Sequence, residues 1–345
     1  MSAEPGKNVF AKLNKMEFRT KIEVKPADHK IGYSSEILLI GSCFADNIGH
    51  KLKSFKFPVI HNPFGVLYNP ASVENGLEIL IEERYFTKSD LYYYKDRWIS
   101  FSHYTGYSDV DPEKALNRIN SSIEAGAKHL KNAGFLFITF GTAWVFEFIK
   151  TGEIVANNHK IPHSEFKRRL LEIDEIVNIF EELLNKIFLL NPHLQVIFTV
   201  SPIRHWKDGA VNNQLSKSIL IVAIHKLIEN YPNAAYYPAY EIFMDELRDY
   251  RYYAADMLHP AEFAIDYLWE VFTNTYISEG TFHVMKEIIP VIKAAGHRPF
   301  NLESADYKNF VEINIKRINE LKAKYSFLNF DEELSFFQSK LKNVQ

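Results

Sequence analysis

The sequence has few covalent or membrane anchors. One cysteine, Cys43, stands in 345 residues, which excludes an internal disulfide framework and a cysteine-cluster zinc site. Neither sign of charge is in excess: 40 Lys and Arg face 43 Asp and Glu, a formal net charge of −3. That balance argues against a general nucleic-acid binder, whose footprint is basic. No apolar run approaches the roughly 18 residues of a membrane span. The first twenty residues, MSAEPGKNVFAKLNKMEFRT, carry no apolar core of a secretory signal. These absences predict a cytoplasmic protein with neither a membrane nor a nucleic-acid partner. Repeats, low-complexity tracts and internal Pro/Gly/Ser-rich linkers are also missing, so one elaborated domain is expected. Aromatic residues are plentiful instead: 27 Phe and 19 Tyr predict a dense core and an aromatic-lined pocket.

Residues 1–15 read as an N-terminal extension, native or appended, with Met16 a candidate natural start. Strand and helix patterns then alternate. Short apolar runs at 36–40 (EILLI), 57–60, 135–140 (FLFITF), 195–200 (QVIFTV) and 234–237 suit buried parallel strands. Helical spacing follows each: 45–55, where Ile48, Leu52 and Phe55 share a face, then 72–83, 111–132, 164–190, 213–229, 241–248 and 261–273. Asp111-Pro112 opens the third of these as cap and first residue. Residues 91–101 and 144–156 read as aromatic hairpins inserted into the body. The C-terminal part reads as helices over 304–325 and 331–341. The alternation predicts an α/β fold with a doubly wound parallel sheet.

In such a sheet the ligand crevice lies beyond the carboxyl ends of the strands. Those ends carry Gly41-Ser42-Cys43, His61-Asn62-Pro63-Phe64-Gly65, Gly141-Thr142-Ala143-Trp144, Ser201-Pro202-Ile203-Arg204-His205 and Tyr240-Glu241. Ser42 sits between a buried strand and a helix, where N–H groups and the helix dipole favour negative charge. It reads as a nucleophile whose own N–H is an oxyanion donor, or as a simple helix cap. Asp256-Met257-Leu258-His259 supplies the partners a serine needs: a base, and a carboxylate to fix its tautomer. Arg204 reads as a clamp for an anionic group, or as the structural partner of Asp249 or Glu241. His205 is a weaker alternative base. Cys43, one residue past Ser42, is expected to face away from the crevice. Tyr and Phe of 91–101 and 250–253 read as cleft rim or core. His159 and His163 form the nearest approach to a metal pair, and without a third ligand no metal is expected.

Gly41-Ser42-Cys43-Phe44-Ala45 spells the pentapeptide that names the GSCFA-domain family, and the chain resembles that family from about Phe18 to Phe272. Further stretches in family order are Phe18-Arg19-Thr20, Asn62-Pro63-Phe64-Gly65 with Leu67-Tyr68-Asn69-Pro70, Thr139-Phe140-Gly141-Thr142-Ala143-Trp144, and Ser201-Pro202-Ile203-Arg204-His205. Tyr240-Glu241, Arg248-Asp249-Tyr250-Arg251 and Asp256-Met257-Leu258-His259-Pro260 complete the set. The family is grouped with the SGNH (GDSL-like) hydrolases. The resemblance implies a flavodoxin-like α/β/α sandwich with strand order 2-1-3-4-5, spanning residues 16–300, and leaves 301–345 as a helical appendage. It implies Ser42 as nucleophile, His259 as base and Asp256 as orienting carboxylate, with no cofactor.

In SGNH enzymes a Gly after the second strand and an Asn after the third complete the oxyanion hole. Gly65 is the candidate Gly, with Asn62 beside it. Gly141-Thr142 stands where the Asn pattern belongs, so Thr142 is the substitute donor, with Asn157 or Asn158 as others. The implied activity is hydrolysis or transfer of a small acyl group on a carbohydrate or metabolite ester. The missing Asn and Arg204 motivate the alternative, a non-catalytic binding module for a glycan or small anionic metabolite. A stripe of Phe310, Ile313, Ile315 and Ile318 is expected to pack on the body, with a second copy as the other candidate.

Overall fold

The computed structural model describes residues 19–342. The expected extension over 1–15, Met16 and Phe18 lie outside that range. Five strands form the central parallel sheet: β1 (Ile37–Gly41), β2 (Val59–His61), β5 (Phe135–Phe140), β9 (Gln195–Val200) and β10 (Ala234–Tyr236). Their order is β2-β1-β5-β9-β10, the expected crossover pattern. Register runs Ile37 beside Val59 and Phe135, Phe135 beside Gln195, and Val196 beside Ala234.

Alternate residues of each strand point to opposite faces, and each face buries its own set. Leu38, Ile40, Leu136, Ile138, Val196 and Phe198 pack under α2 (Pro70–Glu82), α3 (Pro112–Asn132), α4 (Ile173–Leu190) and α5 (Gly209–Asn230). Ile37, Leu39, Phe135, Phe137 and Ile197 pack under α1 (Cys43–Ser54) and α7 (Glu262–Tyr276). The result is a three-layer sandwich. Two small antiparallel sheets are inserted: β3 (Tyr92–Tyr94) with β4 (Arg97–Ile99), and β6 (Trp144–Phe148) between β7 (Ile154–Val155) and β8 (Phe166–Leu170).

Three elements differ from the sequence reading. Residues 166–170 are a strand, not the start of a helix. Phe146 lies opposite Arg168, and Phe166 is buried with Phe148 and Ile161 in an aromatic cluster. Cross-strand packing overrides helical propensity there, and α4 begins only after Glu172, which caps it with Glu175. The helix expected over 241–248 is a short α6 (Ala239–Glu241) followed by one wide turn, Ile242–Glu246. A helix not anticipated, α8 (Phe282–Ala295), carries Pro290 in its interior, a residue that removes a backbone donor.

Helices α8, α9 (Ala305–Lys324) and α10 (Asp331–Lys342) share a core of Val284, Ile288, Val311, Ile318, Phe330 and Phe337. Tyr33 and Phe55 pack against it from the sandwich. Lys53 and Lys56 of the body pair with Glu332 and Glu333. Ile318 of the expected apolar stripe is buried there, while Ile313 remains 49% exposed. Among the described residues no helix is long and apolar enough to cross a membrane.

Candidate active site

A cleft of about 990 Å³ opens at the carboxyl edge of the sheet and is lined by Ser42, Thr142, Arg204, His205 and His259. Gly41 makes the turn into it. Its φ is +135°, and an added Cβ would lie 2.1 Å from the Thr139 carbonyl oxygen, so only glycine fits. Ser42 follows as the cap of α1: its Oγ accepts the Phe44 N–H at 3.3 Å. The cap and nucleophile readings are compatible, because Ser42 both caps the helix and lines the cleft. Ser42 is only 2% exposed.

The base side is a turn rather than a strand end. Asp256 Oδ2 lies 2.5 Å from His259 Nδ1, and Oδ1 accepts the Leu258 and His259 N–H groups at 2.9 Å each. The backbone N–H groups of His259 and Leu258, and then the imidazole, hold this carboxyl down to about 2, so it is ionised at neutral pH. His259 Nε2 makes no hydrogen bond among the described residues, nor is Ser42 hydrogen-bonded to His259; the two share the cleft wall. Asp256 stands behind His259, off the lining.

Arg204 takes neither partner suggested by the sequence. Asp249 pairs with Arg251 and Glu241 accepts from Tyr236. Arg204 Nη2 instead donates to the Met257 carbonyl at 2.7 Å. Its guanidinium lies 5.0 Å from both the Trp206 and Tyr253 ring centres. Met257 has φ +59°, a conformation costly for a non-glycine residue. Arg204 thus latches the turn that carries Asp256 and His259.

Most expected oxyanion donors are committed elsewhere. The Ser42 N–H donates to Thr139 O at 3.1 Å, and the Gly65 N–H to Asn62 O at 2.8 Å. Asn62 braces the turn: Oδ1 accepts from Gly41 N at 2.8 Å and Nδ2 donates to Asp46 at 2.9 Å. Thr142 pairs with Ser216 through Oγ1, 3.0 Å apart, and gives its N–H to Tyr68 O at 2.9 Å. Gly141 also donates to Tyr68 O, at 2.7 Å, and a Cβ there would stand 3.2 Å from His205 Nε2. Asn62, Gly65 and Gly141 lie outside the lining; Asn157 and Asn158 are within it.

A family model described as the GSCFA family matches residues 36–272, the span holding all of these groups. The chain belongs to the GSCFA family. A second model, the C-terminal domain of GSCFA domain proteins, matches residues 289–343 and so begins within α8. No curated protein matches the chain.

In this GSCFA chain four features of the site escaped the sequence reading. Lys217 on α5 is wholly buried and donates to Gly141 O and Ser201 O at 2.7 Å each, tying the ends of β5 and β9 together. Burial holds its amine down to about 7. Its signal was periodicity: Asn213, Leu220, Ile224 and Leu227 share its buried face. Asn69 is buried, lines the cleft and caps α2 through Oδ1 on Ser72 N at 2.8 Å. Its Nδ2 has no partner among the described residues.

Cys43 lines the cleft, contrary to expectation, with Sγ 3.6 Å from the Tyr68 hydroxyl. As the first residue of α1 it turns with the helix rather than alternating as in a strand. The aromatic wall is Tyr68, Trp144, Phe146 and Trp206; of the two readings for the 91–101 and 250–253 aromatics the core one holds, since Tyr92, Tyr94, Phe101, Tyr252 and Tyr253 pack against core clusters and none lines the cleft. His205 is driven down to about 4, chiefly by burial and then by Lys217, Arg168 and His259. It is neutral at pH 7 and has no carboxylate partner among the described residues. Of the two histidines that came nearest to a metal pair in the sequence, His159 bonds the Ser100 carbonyl at 2.8 Å, while His163 lines the cleft.

Proposed function

We propose that this chain is a serine-dependent esterase or acyl transferase of the SGNH (GDSL-like) type, acting on a small acyl ester of a carbohydrate or metabolite. The observation that supports it is the shared cleft: Ser42 at the N-terminus of α1, and His259 already oriented by Asp256. Ser42 Oγ attacks the ester carbonyl while His259 Nε2 accepts the hydroxyl proton. Asp256 stabilises the imidazolium so formed. His259 then returns the proton to the departing alcohol, leaving an acyl-Ser42. Water or an acceptor hydroxyl attacks that ester, giving its proton to the same nitrogen, which passes it to the departing Ser42 Oγ. Oxyanion stabilisation comes from the first turn of α1, where the Cys43 N–H has no partner among the described residues, and from Asn69 Nδ2 in place of the usual asparagine.

The test is turnover of 4-nitrophenyl acetate by the full chain. Wild type is expected to release nitrophenol, with Ser42→Ala and His259→Ala each lowering kcat by ~10³ or more while remaining folded. Equal turnover in wild type and Ser42→Ala would overturn the reading. A second reading, a binding module for a glycan or anionic metabolite, is favoured by one observation: the Ser42, Gly65 and Thr142 N–H groups are all engaged within the protein. It predicts that cellular function survives Ser42→Ala.

A further inference from the structure

On α1 and the end of β2, outside the cleft lining, lies a second cluster of chemistry-bearing side chains. Asp46 and His50 stand four residues apart on α1, a spacing that puts both on one face. His61 ends β2 beside them. One ligand atom from each of the three falls within 4.8 Å of the others. None lines the cleft. We propose that Asp46, His50 and His61 bind one divalent ion of the zinc class. The inference is independent of the serine chemistry.

The backbone is shaped for this approach. A Cβ on Gly49 would lie 2.5 Å from Cβ and Cγ of His61, so only glycine lets the imidazole settle against the helix between its two partners. The His61 ring meets His50 edge-on at 4.6 Å between centres, and its Nδ1 lies 3.0 Å from Asp46 Oδ1. A tetrahedral zinc with bonds of about 2.0–2.1 Å holds its ligand atoms about 3.3 Å apart. The Asp46–His61 pair, at 3.0 Å, need open by only about 0.3 Å to reach that separation. His50 is exposed, and a side-chain rotation closes the remaining gap. Two imidazoles and one carboxylate suit a borderline ion better than magnesium or calcium, which prefer all-oxygen shells.

The outer shell is also in place. Asn62 Nδ2 donates to Asp46 Oδ1 at 2.9 Å, and its own Oδ1 is held by Gly41 N at 2.8 Å. Such supporting bonds orient metal ligands. Lys53, the cation acting on His50, is paired with Glu332, which limits its repulsion of an ion. The ion would join α1 to β2 just behind the Gly41-Ser42 turn, with its fourth position open to water.

The experiment titrates zinc chloride into the full, chelator-stripped chain against a chromophoric competitor, with cobalt chloride as a spectroscopic probe. One equivalent is expected to bind, with tetrahedral cobalt bands and a rise in Tm. His50→Gln, an exposed change that leaves the fold intact, and His61→Gln are each expected to weaken binding by more than ~100-fold, since loss of a mere supporting partner costs 10–100-fold. His163→Gln is expected to leave it unchanged. Absence of saturable binding at one equivalent, or equal affinity in wild type and His50→Gln, would overturn the proposal.

Discussion

Ser42 and His259 reach the same cleft from elements of opposite character. Ser42 follows a strand whose five residues are all buried and which ends in a glycine that no other residue can replace without striking Thr139. Its N–H, its Oγ and the flanking Gly41 N–H are all engaged within the protein. The His259 side chain is about half exposed, on a turn with a left-handed Met257, held by Asp256 and by one Arg204 hydrogen bond. The nucleophile is thus placed by the core and the base by a few polar contacts. Changes on the first side should be read as lost stability, and changes on the second as lost geometry at nearly constant stability.

Gly41→Ala should show the largest effect. The clash with Thr139 and the positive φ are expected to cost more than ~4 kcal/mol in urea unfolding, or to prevent folding. Wild-type stability in that variant would mean the serine turn is not rigid.

A pH series tests the more buried His205 side of the cleft against its exposed His259 wall. His205 ordinarily titrates near 6.5 but is driven to about 4 in the folded chain. Below pH 6.5 the unfolded chain gains a proton that folded His205 refuses, so stability falls as pH drops toward 4, by up to ~3 kcal/mol. Asp256, lowered to about 2, gives stability present above its ordinary value and lost only as pH falls through about 2, so it is silent in this window. Urea midpoints at pH 7 and 4.5 for wild type and His205→Gln should differ mainly at the lower pH. His103, also driven down, to about 3, acts equally in both proteins and cancels from the difference.

Arg204→Ala should show the smallest effect on the fold and a selective one on the turn. Ester turnover is expected to drop ~10-fold, mainly in kcat, with stability within ~1 kcal/mol of wild type. A large loss of stability with unchanged kcat would move Arg204 from the latch to the core.

The sheet was legible because its strands are short apolar runs bounded by glycine or turn residues, a pattern that survives without tertiary knowledge. Asp256 and His259 were legible because one local turn carries both. The strand at 166–170 was not, since Phe166-Lys167-Arg168-Arg169-Leu170 finds its partner only across β6. Lys217 and Asn69 were missed because a buried lysine and an N-cap asparagine gain their roles from the strand ends above them. The Asp46–His50–His61 cluster depends on a glycine at position 49, whose importance appears only when β2 is laid against α1. Arg204 was placed at the right edge but given the wrong partner, since a carbonyl on a strained turn leaves no charge pattern in the sequence.

The most direct measurement is adduct mapping after treatment with a serine-reactive fluorophosphonate, which needs no knowledge of the natural ester. A single phosphonylated residue, Ser42, is expected, with labelling slowed by at least ~10²-fold in a folded His259→Ala. A folded wild-type chain that stays unlabelled at Ser42, or labels there as fast without the imidazole, would contradict the account.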